Sequence, residues 1–319
     1  MVLGLHHVTA IAADAQRNLS FYAGVLGLRF VKRTVDFDDP RTYHTYFGDE
    51  LGRPGSVLSF FSWPGMQRGQ LGTGQAGVIS FSISLGSTAY WIERLVGLGV
   101  AFTGPLSRFG ERYLAFRDTD GLLLELVARP DATRREGWHG GPVPPEHAIR
   151  GLHGVTLWVA DRGLTGMFLS HELGMQPVAE EGNVTRYAAG AGGPGCFVDL
   201  RGTPEFWSGK LGTGTVHHVA LRAGTLEAQD RLREAVAAAG FTPTLRIDRK
   251  YFSSVSFREP GGVMIELSTD GPGFLLDEPL GRLGERLMLP ERFEPMRESI
   301  ERDLPPVRLP DRARSRARR

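Results

Sequence analysis

The chain has 319 residues, 41% of them hydrophobic, which is enough for a large buried core or for two domains of ordinary size. Lys and Arg number 37 against 36 Asp and Glu, so the formal charge of +1 gives no global field favouring a nucleic acid or an anionic membrane. A single cysteine, Cys196, excludes an internal disulfide framework and a thiolate metal cluster, and no leader-like segment or spanning apolar run is seen, so a cytoplasmic protein is expected.

In chain order, the first predicted strand covers residues 6–11, and a helix follows from Asp14, a natural N-cap, through Leu19, Phe21, Tyr22 and Val25 until Gly27 stops it. Strand patterns then come at 28–31, 43–47 and 57–61. The same order recurs at a period of about 64 to 77 residues. The second copy reads as a strand at 78–83, a helix near 91–98, and strands at 99–102, 112–116 and 122–127. The third has a strand at 154–159, a helix from Asp161, and strands near 174–175, 185–188 and 196–200. The fourth has 217–221, a helix at 226–238, then 240–241, 254–257 and 263–267.

One strand-helix-strand-strand-strand unit cannot cover both faces of its sheet. The expected fold is therefore α+β: four βαβββ modules paired into two curved half-barrel sheets around a metal-binding cup, followed by a C-terminal extension. The polar, proline-rich stretch at 134–149 divides an N-terminal pair of modules at 1–133 from a C-terminal pair at 150–270. Residues 271–319 form the extension, with short helices expected at 283–289 and 293–304 and a disordered basic tail at 310–319. That tail reads as solvated, not as a nucleic-acid contact.

Only the first and fourth copies carry a doubled histidine, in Leu5-His6-His7-Val8-Thr9 and Val216-His217-His218-Val219-Ala220. The other two put glycine, Gly77 and Gly154, at the place expected for His7 and His218. Strand neighbours point to opposite faces, so one imidazole of each doublet should look into the cup and the other elsewhere. Alignment by glycine makes Ser59, Glu125, Asp199 and Glu266 equivalent, four residues beyond Gly55, Gly121, Gly195 and Gly262. Glu266 lies in an otherwise apolar strand, where an unpaired carboxylate would cost several kcal/mol. Two neutral imidazoles and one carboxylate make a facial triad that leaves positions open for substrate and dioxygen, which assigns His7, His218 and Glu266 as metal ligands. Glu125 lacks such partners and reads as structural, held by an arginine. His153 aligns with His6, which argues against a ligand role, and His44, His139, His147 and His171 fall outside the frame as surface or loop residues. Phe60, Phe61, Trp63, Phe206 and Trp207 read as ordinary core, with an aromatic pocket as the alternative.

The His doublets, Phe30-Val31-Lys32-Arg33-Thr34, Tyr46-Phe47-Gly48-Asp49-Glu50-Leu51-Gly52, Arg108-Phe109-Gly110-Glu111-Arg112-Tyr113 and Phe257-Arg258-Glu259-Pro260-Gly261-Gly262 resemble the vicinal oxygen chelate (glyoxalase/bleomycin resistance/extradiol dioxygenase) superfamily. The likeness is strongest to its hydroquinone-type ring-cleaving dioxygenases and spans residues 3–280. It implies a mononuclear Fe(II), in some members Mn(II), on the same three ligands, with a small aromatic substrate and O2 as partners. It also implies catalytic roles for His6, Thr9, His217 and Arg249, the histidines moving protons and Arg249 stabilising anionic charge. The chain departs from the family at Ser256, where relatives commonly carry tyrosine, and Tyr251 is a candidate to compensate. Two rivals stand beside this: a Zn(II)- or Ni(II)-dependent glyoxalase-like isomerase, which would want a carboxylate where Ser59 stands, and a protein that merely sequesters an aromatic or a drug. Exposed sheet edges favour a homo-oligomer.

Overall fold

The computed structural model describes residues 1–309; the tail expected at 310–319 lies outside the described residues. Four modules follow one another as the repeat predicts. The first comprises β1 (Leu5–Ala12), α1 (Ala15–Leu19), β2 (Arg29–Val35), β3 (Tyr43–Gly48) and β4 (Val57–Ser62). The second comprises β5 (Gln75–Ser84), α2 (Thr88–Gly97), β6 (Phe102–Arg108), β7 (Glu111–Arg117) and β8 (Leu123–Arg129). In the third are β9 (Leu152–Val159), α3 (Arg162–His171), β10 (Gln176–Glu181), β11 (Val184–Ala188) and β12 (Phe197–Gly202). The fourth holds β13 (Val216–Gly224), α4 (Leu226–Ala238), β14 (Ile247–Asp248), β15 (Ser253–Arg258) and β16 (Met264–Thr269).

The strands form two 8-stranded sheets, β14-β15-β16-β13-β1-β4-β3-β2 and β10-β11-β12-β9-β5-β8-β7-β6. Hydrogen bonding therefore crosses the division at 134–149: β1 pairs antiparallel with β13, and β5 with β9, so each sheet takes one module from each side. The connecting stretch is itself packed, with Val143, Ala148 and Ile149 buried. Val143 is the reason for glycine at the end of the first helix. Gly27 has φ +67, and a Cβ there would meet Val143 Cγ2 at 2.5 Å.

Asp14 caps α1 by accepting from the Arg17 amide, and the helix runs on through a wider π-type turn, Ser20–Val25, that buries Phe21 and Tyr22. The Tyr22 hydroxyl donates to Asp118 at 2.9 Å and ties the first module to the second. Two sequence expectations are corrected. The fourth module has no strand at 240–241, and its edge strand is displaced to β14. Residues 283–289 are not helical: Leu287 bridges to Arg33 on the free edge of β2, and the Met288 amide donates to the Arg33 carbonyl at 2.9 Å. Downstream, a 3-10 turn at Glu291–Met296 and α5 (Arg297–Asp303) occupy the second expected helix. Leu287, Leu289, Ile300 and Leu304 are buried against Val35 and Tyr43, so the extension straps the edge of the first module.

The sheet of the second and third modules encloses a cup filled with charge. Glu125 accepts two bonds from Arg108 at 3.0 and 2.6 Å, as expected of a carboxylate held by an arginine. Arg186 spans Asp199 at 2.7 and 2.9 Å and Glu111 at 2.6 Å, with the rings of Phe109 and Phe197 over its guanidinium. Arg129 and His153 complete the cluster at Glu111. Burial pushes Glu111 up, but His153 and Arg186 outweigh it and hold the carboxyl well below its ordinary range. Arg186→Ala strips Asp199 and Glu111 of their shared guanidinium and should lower the stability read by urea unfolding by about 3–5 kcal/mol, with metal content unchanged. A loss below about 1 kcal/mol would show that Arg108, Arg129 and His153 hold the two carboxylates without Arg186.

Candidate metal centre

Ladder register fixes the equivalences on which the site depends. Thr9 pairs with Ser59, Ser80 with Glu125, Thr156 with Asp199 and Ala220 with Glu266, so the four final-strand positions correspond as the glycine alignment predicts. The same register makes Val78, not Gly77, the counterpart of His7, while Gly154 holds that place in the third module. Gly77 corresponds instead to His6. Strand alignment without the ladder is easily wrong by one residue, because apolar neighbours flank both positions.

Each of the four first strands is irregular at that preceding position. The central ladders shift register between Leu5 and His7, between Ala76 and Val78, and across His217 and His153. A bulge re-aims a side chain, and here it brings the first histidine of each doublet against the second: His6 stays out of the cavity, as expected of one imidazole in each doublet, whereas His217 lines it together with His218. His6 Nδ1 lies 2.8 Å from His7 Nδ1, and His217 Nδ1 lies 2.8 Å from His218 Nδ1. Both second histidines are thereby oriented through Nδ1, leaving their Nε2 atoms to converge.

His7 Nε2 is 3.2 Å from His218 Nε2 and 3.6 Å from Glu266 Oε1, and His218 Nε2 is 3.9 Å from Glu266 Oε2. All three residues are buried, with their ligand atoms within 4.8 Å of one another. A divalent ion held at ~2.1 Å by cis ligands needs them ~3–3.5 Å apart, so closure takes only small shifts. The electrostatics also call for a cation. Burial pushes Glu266 up from its ordinary value despite Arg249 and a 2.8 Å bond from Ser268. Burial likewise depresses His7 and takes His218 down to about 3, so both imidazoles are neutral donors at neutral pH. A buried carboxylate facing two neutral imidazoles is short of positive charge.

A cavity of about 510 Å³ opens from these ligands. His217 and Arg249 line it, whereas His6 and Thr9 lie behind its wall: His6 backs His7, and the Thr9 hydroxyl is 2.7 Å from Ser59 Oγ. Phe61 and Trp63 stack at 5.2 Å on one side, and Phe252 packs 5.0 Å from both His6 and His7 on another. Phe60 is core, and Phe206 and Trp207 lie away against Trp158 and the Leu71 carbonyl. His44, expected at the surface, is buried in the cavity wall, its Nε2 3.2 Å from Ser59 Oγ and its Nδ1 3.0 Å from the Tyr46 hydroxyl. Its signal was two-residue spacing from Tyr46 on a predicted strand, which puts both on one face. Ser256 Oγ reaches Glu266 Oε2 at 3.4 Å, and Arg186 is its counterpart in the second cup by register. Tyr251 does not line the cavity: its hydroxyl donates to Asp277 at 3.0 Å. Among the described residues no helix is long and apolar enough to cross a membrane.

A family model for the glyoxalase/bleomycin resistance protein/dioxygenase superfamily matches residues 4–126 and 151–267. MhqO of Bacillus subtilis strain 168, provisionally named a ring-cleaving dioxygenase, is 44% identical over 307 residues, covering 96% of this chain and 97% of MhqO. A chlorohydroquinone/hydroquinone 1,2-dioxygenase of Sphingobium indicum is 33% identical over 313 residues, covering 95% of this chain and 96% of that protein. A crystal structure described provisionally as a dioxygenase from Bacillus subtilis superposes with a TM-score of 0.92 at 44% identity, covering 97% of this chain and 99% of that one. Glyoxalase I from Zea mays, at 18% identity and a TM-score of 0.62 over 84% of this chain and 92% of its own, shares the fold.

Metal affinity should depend on His6 and on pH in a defined way. His6→Ala frees the ring of His7 and should weaken metal binding roughly 10–100-fold in a competition titration; unchanged affinity would contradict an orienting role. With the imidazoles already neutral, the competing proton belongs to Glu266. Affinity should fall about tenfold per pH unit below the raised value of Glu266. A steeper loss near pH 6.5, the ordinary histidine value, would mean that the imidazoles bind protons before the carboxylate does.

Proposed function

The chain belongs to the glyoxalase/bleomycin resistance protein/dioxygenase superfamily, and from that premise we propose that it is an Fe(II)-dependent, extradiol-type dioxygenase that opens a hydroquinone-type aromatic ring. Its proposed ligands are His7, His218 and Glu266, and Mn(II) is the alternative ion. The observation that carries the reading is the convergence of two neutral imidazoles and one buried carboxylate on an aromatic-walled cavity. Ser59 supports it against an isomerase: where a fourth protein ligand would stand there is a hydroxyl engaged by Thr9 and His44. An ion held by three protein ligands keeps positions open for two reactants.

Both atoms of dioxygen enter the product, as one carbon–carbon bond beside a hydroxyl-bearing carbon breaks, so no external reductant is required. The bound ion would acidify a phenol and carry electron density from ring to dioxygen. The protein's own side chains account for the rest. Phe61, Trp63 and Phe252 enclose a flat ring and exclude water from the ligand end of the cavity. When His218 ligates through Nε2, its Nδ1 proton is donated to His217 Nδ1, which leaves the Nε2 proton of His217 available to an anionic oxygen in the cavity. Burial takes His217 down to about 4, so this donor is a neutral imidazole. Arg249, also in the cavity wall, stabilises negative charge developing on substrate oxygens. Ser256, bonded to Glu266 at 3.4 Å, presents a smaller side chain to the cavity than the tyrosine that the resemblance implies there, so a larger or more substituted ring fits beside it.

Oxygen-electrode assays on the Fe(II)-loaded full chain, with a panel of hydroquinones and catechols, test the reading. One O2 should be consumed per ring opened, and Arg249→Ala should lower kcat/KM about 10²-fold. An iron-replete protein that consumes no oxygen with any ring diol would overturn the assignment.

A further inference from the structure

The turn Arg249-Lys250-Tyr251-Phe252 presents alternate contacts to two places. Arg249 and Phe252 line the cavity, while Lys250 and Tyr251 turn to the C-terminal strap. Its backbone is strained: Lys250 has φ +69, a left-handed conformation that a side chain such as lysine adopts rarely. The Tyr251 amide bonds the Arg249 carbonyl at 2.8 Å, and the Arg249 amide the Phe252 carbonyl at 2.9 Å, so the loop is tight. Strain of this kind persists only where surrounding structure over-determines it.

Two carboxylates hold the turn: Asp248 accepts from the Lys250 amide at 2.7 Å, and Asp277 gathers the side chains around it. Asp277 accepts from Lys32 Nζ at 2.6 Å through Oδ1, and from Lys250 Nζ at 2.7 Å and the Tyr251 hydroxyl at 3.0 Å through Oδ2. Lys32 is fully buried on β2, bonded also to Glu278 at 2.6 Å and lying 5.0 Å from the Tyr251 ring centre. Glu278 in turn accepts from the Gly284 and Arg286 amides at 3.3 and 3.2 Å, and Lys250 Nζ also donates to the Leu289 carbonyl at 3.2 Å. Burial pushes Asp277 up, but its bonds from Lys250 and Lys32 outweigh that and keep it ionised below its ordinary range.

We propose that Asp277 is a positioning residue: by holding Lys32, Lys250 and Tyr251 together, the strap fixes the left-handed turn that carries Arg249 and Phe252 to the metal pocket. The catalytic consequence rests on the function proposed above, whereas the mechanical one does not. Without the Asp277 carboxylate the turn relaxes, and both pocket side chains lose their set position while the three metal ligands keep theirs.

The test uses the full-length, Fe(II)-loaded protein, 4-nitrocatechol as an absorbing probe of the pocket, and hydrogen exchange of peptides spanning the turn. Asp277→Ala and the milder Asp277→Asn should each retain full iron content, weaken nitrocatechol binding roughly tenfold, and speed exchange at 249–252. Lys250→Ala should do the same. Lys250→Gly, which adopts the positive φ without penalty, should recover part of the affinity although it also lacks the ammonium group. Unchanged exchange in both Asp277 variants would overturn the proposal, as would Lys250→Gly being no better than Lys250→Ala. Arg249→Ala separates the two readings. If it leaves nitrocatechol affinity unchanged, the role given to Arg249 fails, while the exchange data still decide whether the strap holds the turn.

Discussion

A buried carboxylate needs a counter-charge or a full set of hydrogen-bond donors, and the two halves of this fold answer that requirement differently. By register Glu266 and Asp199 occupy one equivalent position, in the fourth and third modules. Asp199 is paired by Arg186, which comes from the strand position that Ser256 fills in the other sheet. One cup is thus closed by guanidinium groups. The other has a small serine there, two neutral histidines opposite, and a cavity in front. The same scaffold becomes a packed ionic core in one copy and the proposed metal site in the other through changes at a few equivalent positions.

The repeated irregularity at the start of each module explains how a site of this kind is assembled from strands. In a regular ladder the two histidines of a doublet would face apart. The extra residue at His6 and at His217 bends the strand, so each supports its neighbour's Nδ1 and aims the Nε2 at the common centre. The supports are then part of the ligand geometry, since a ring held at one nitrogen has little freedom at the other. The strap plays a comparable part at the rim, using buried lysine and aspartate instead of paired imidazoles.

Much of this was legible in the sequence because it was written in periodic features. The four modules, the Asp14 cap, the carboxylate series and the arginine partner of Glu125 all follow from spacing and from the cost of burying charge. What escaped were properties of the ladder. Gly77 was placed one residue out, since bulges do not announce themselves in an apolar run. His44 was missed because its role depends on Ser59 and Tyr46 across neighbouring strands. The displacement of β14 carries no signal in the repeat, which places an edge strand soon after the helix glycine. The partners of Lys32 lie 245 and 246 residues away in sequence, and no pattern short of the fold connects them.

Anomalous diffraction from crystals of the full chain soaked with Fe(II) or Mn(II) is the most direct test of where positive charge enters. A single strong peak is predicted between His7 Nε2, His218 Nε2 and Glu266, with none in the cup that holds Arg108 and Arg186. A peak elsewhere, or comparable peaks in both cups, would contradict the account.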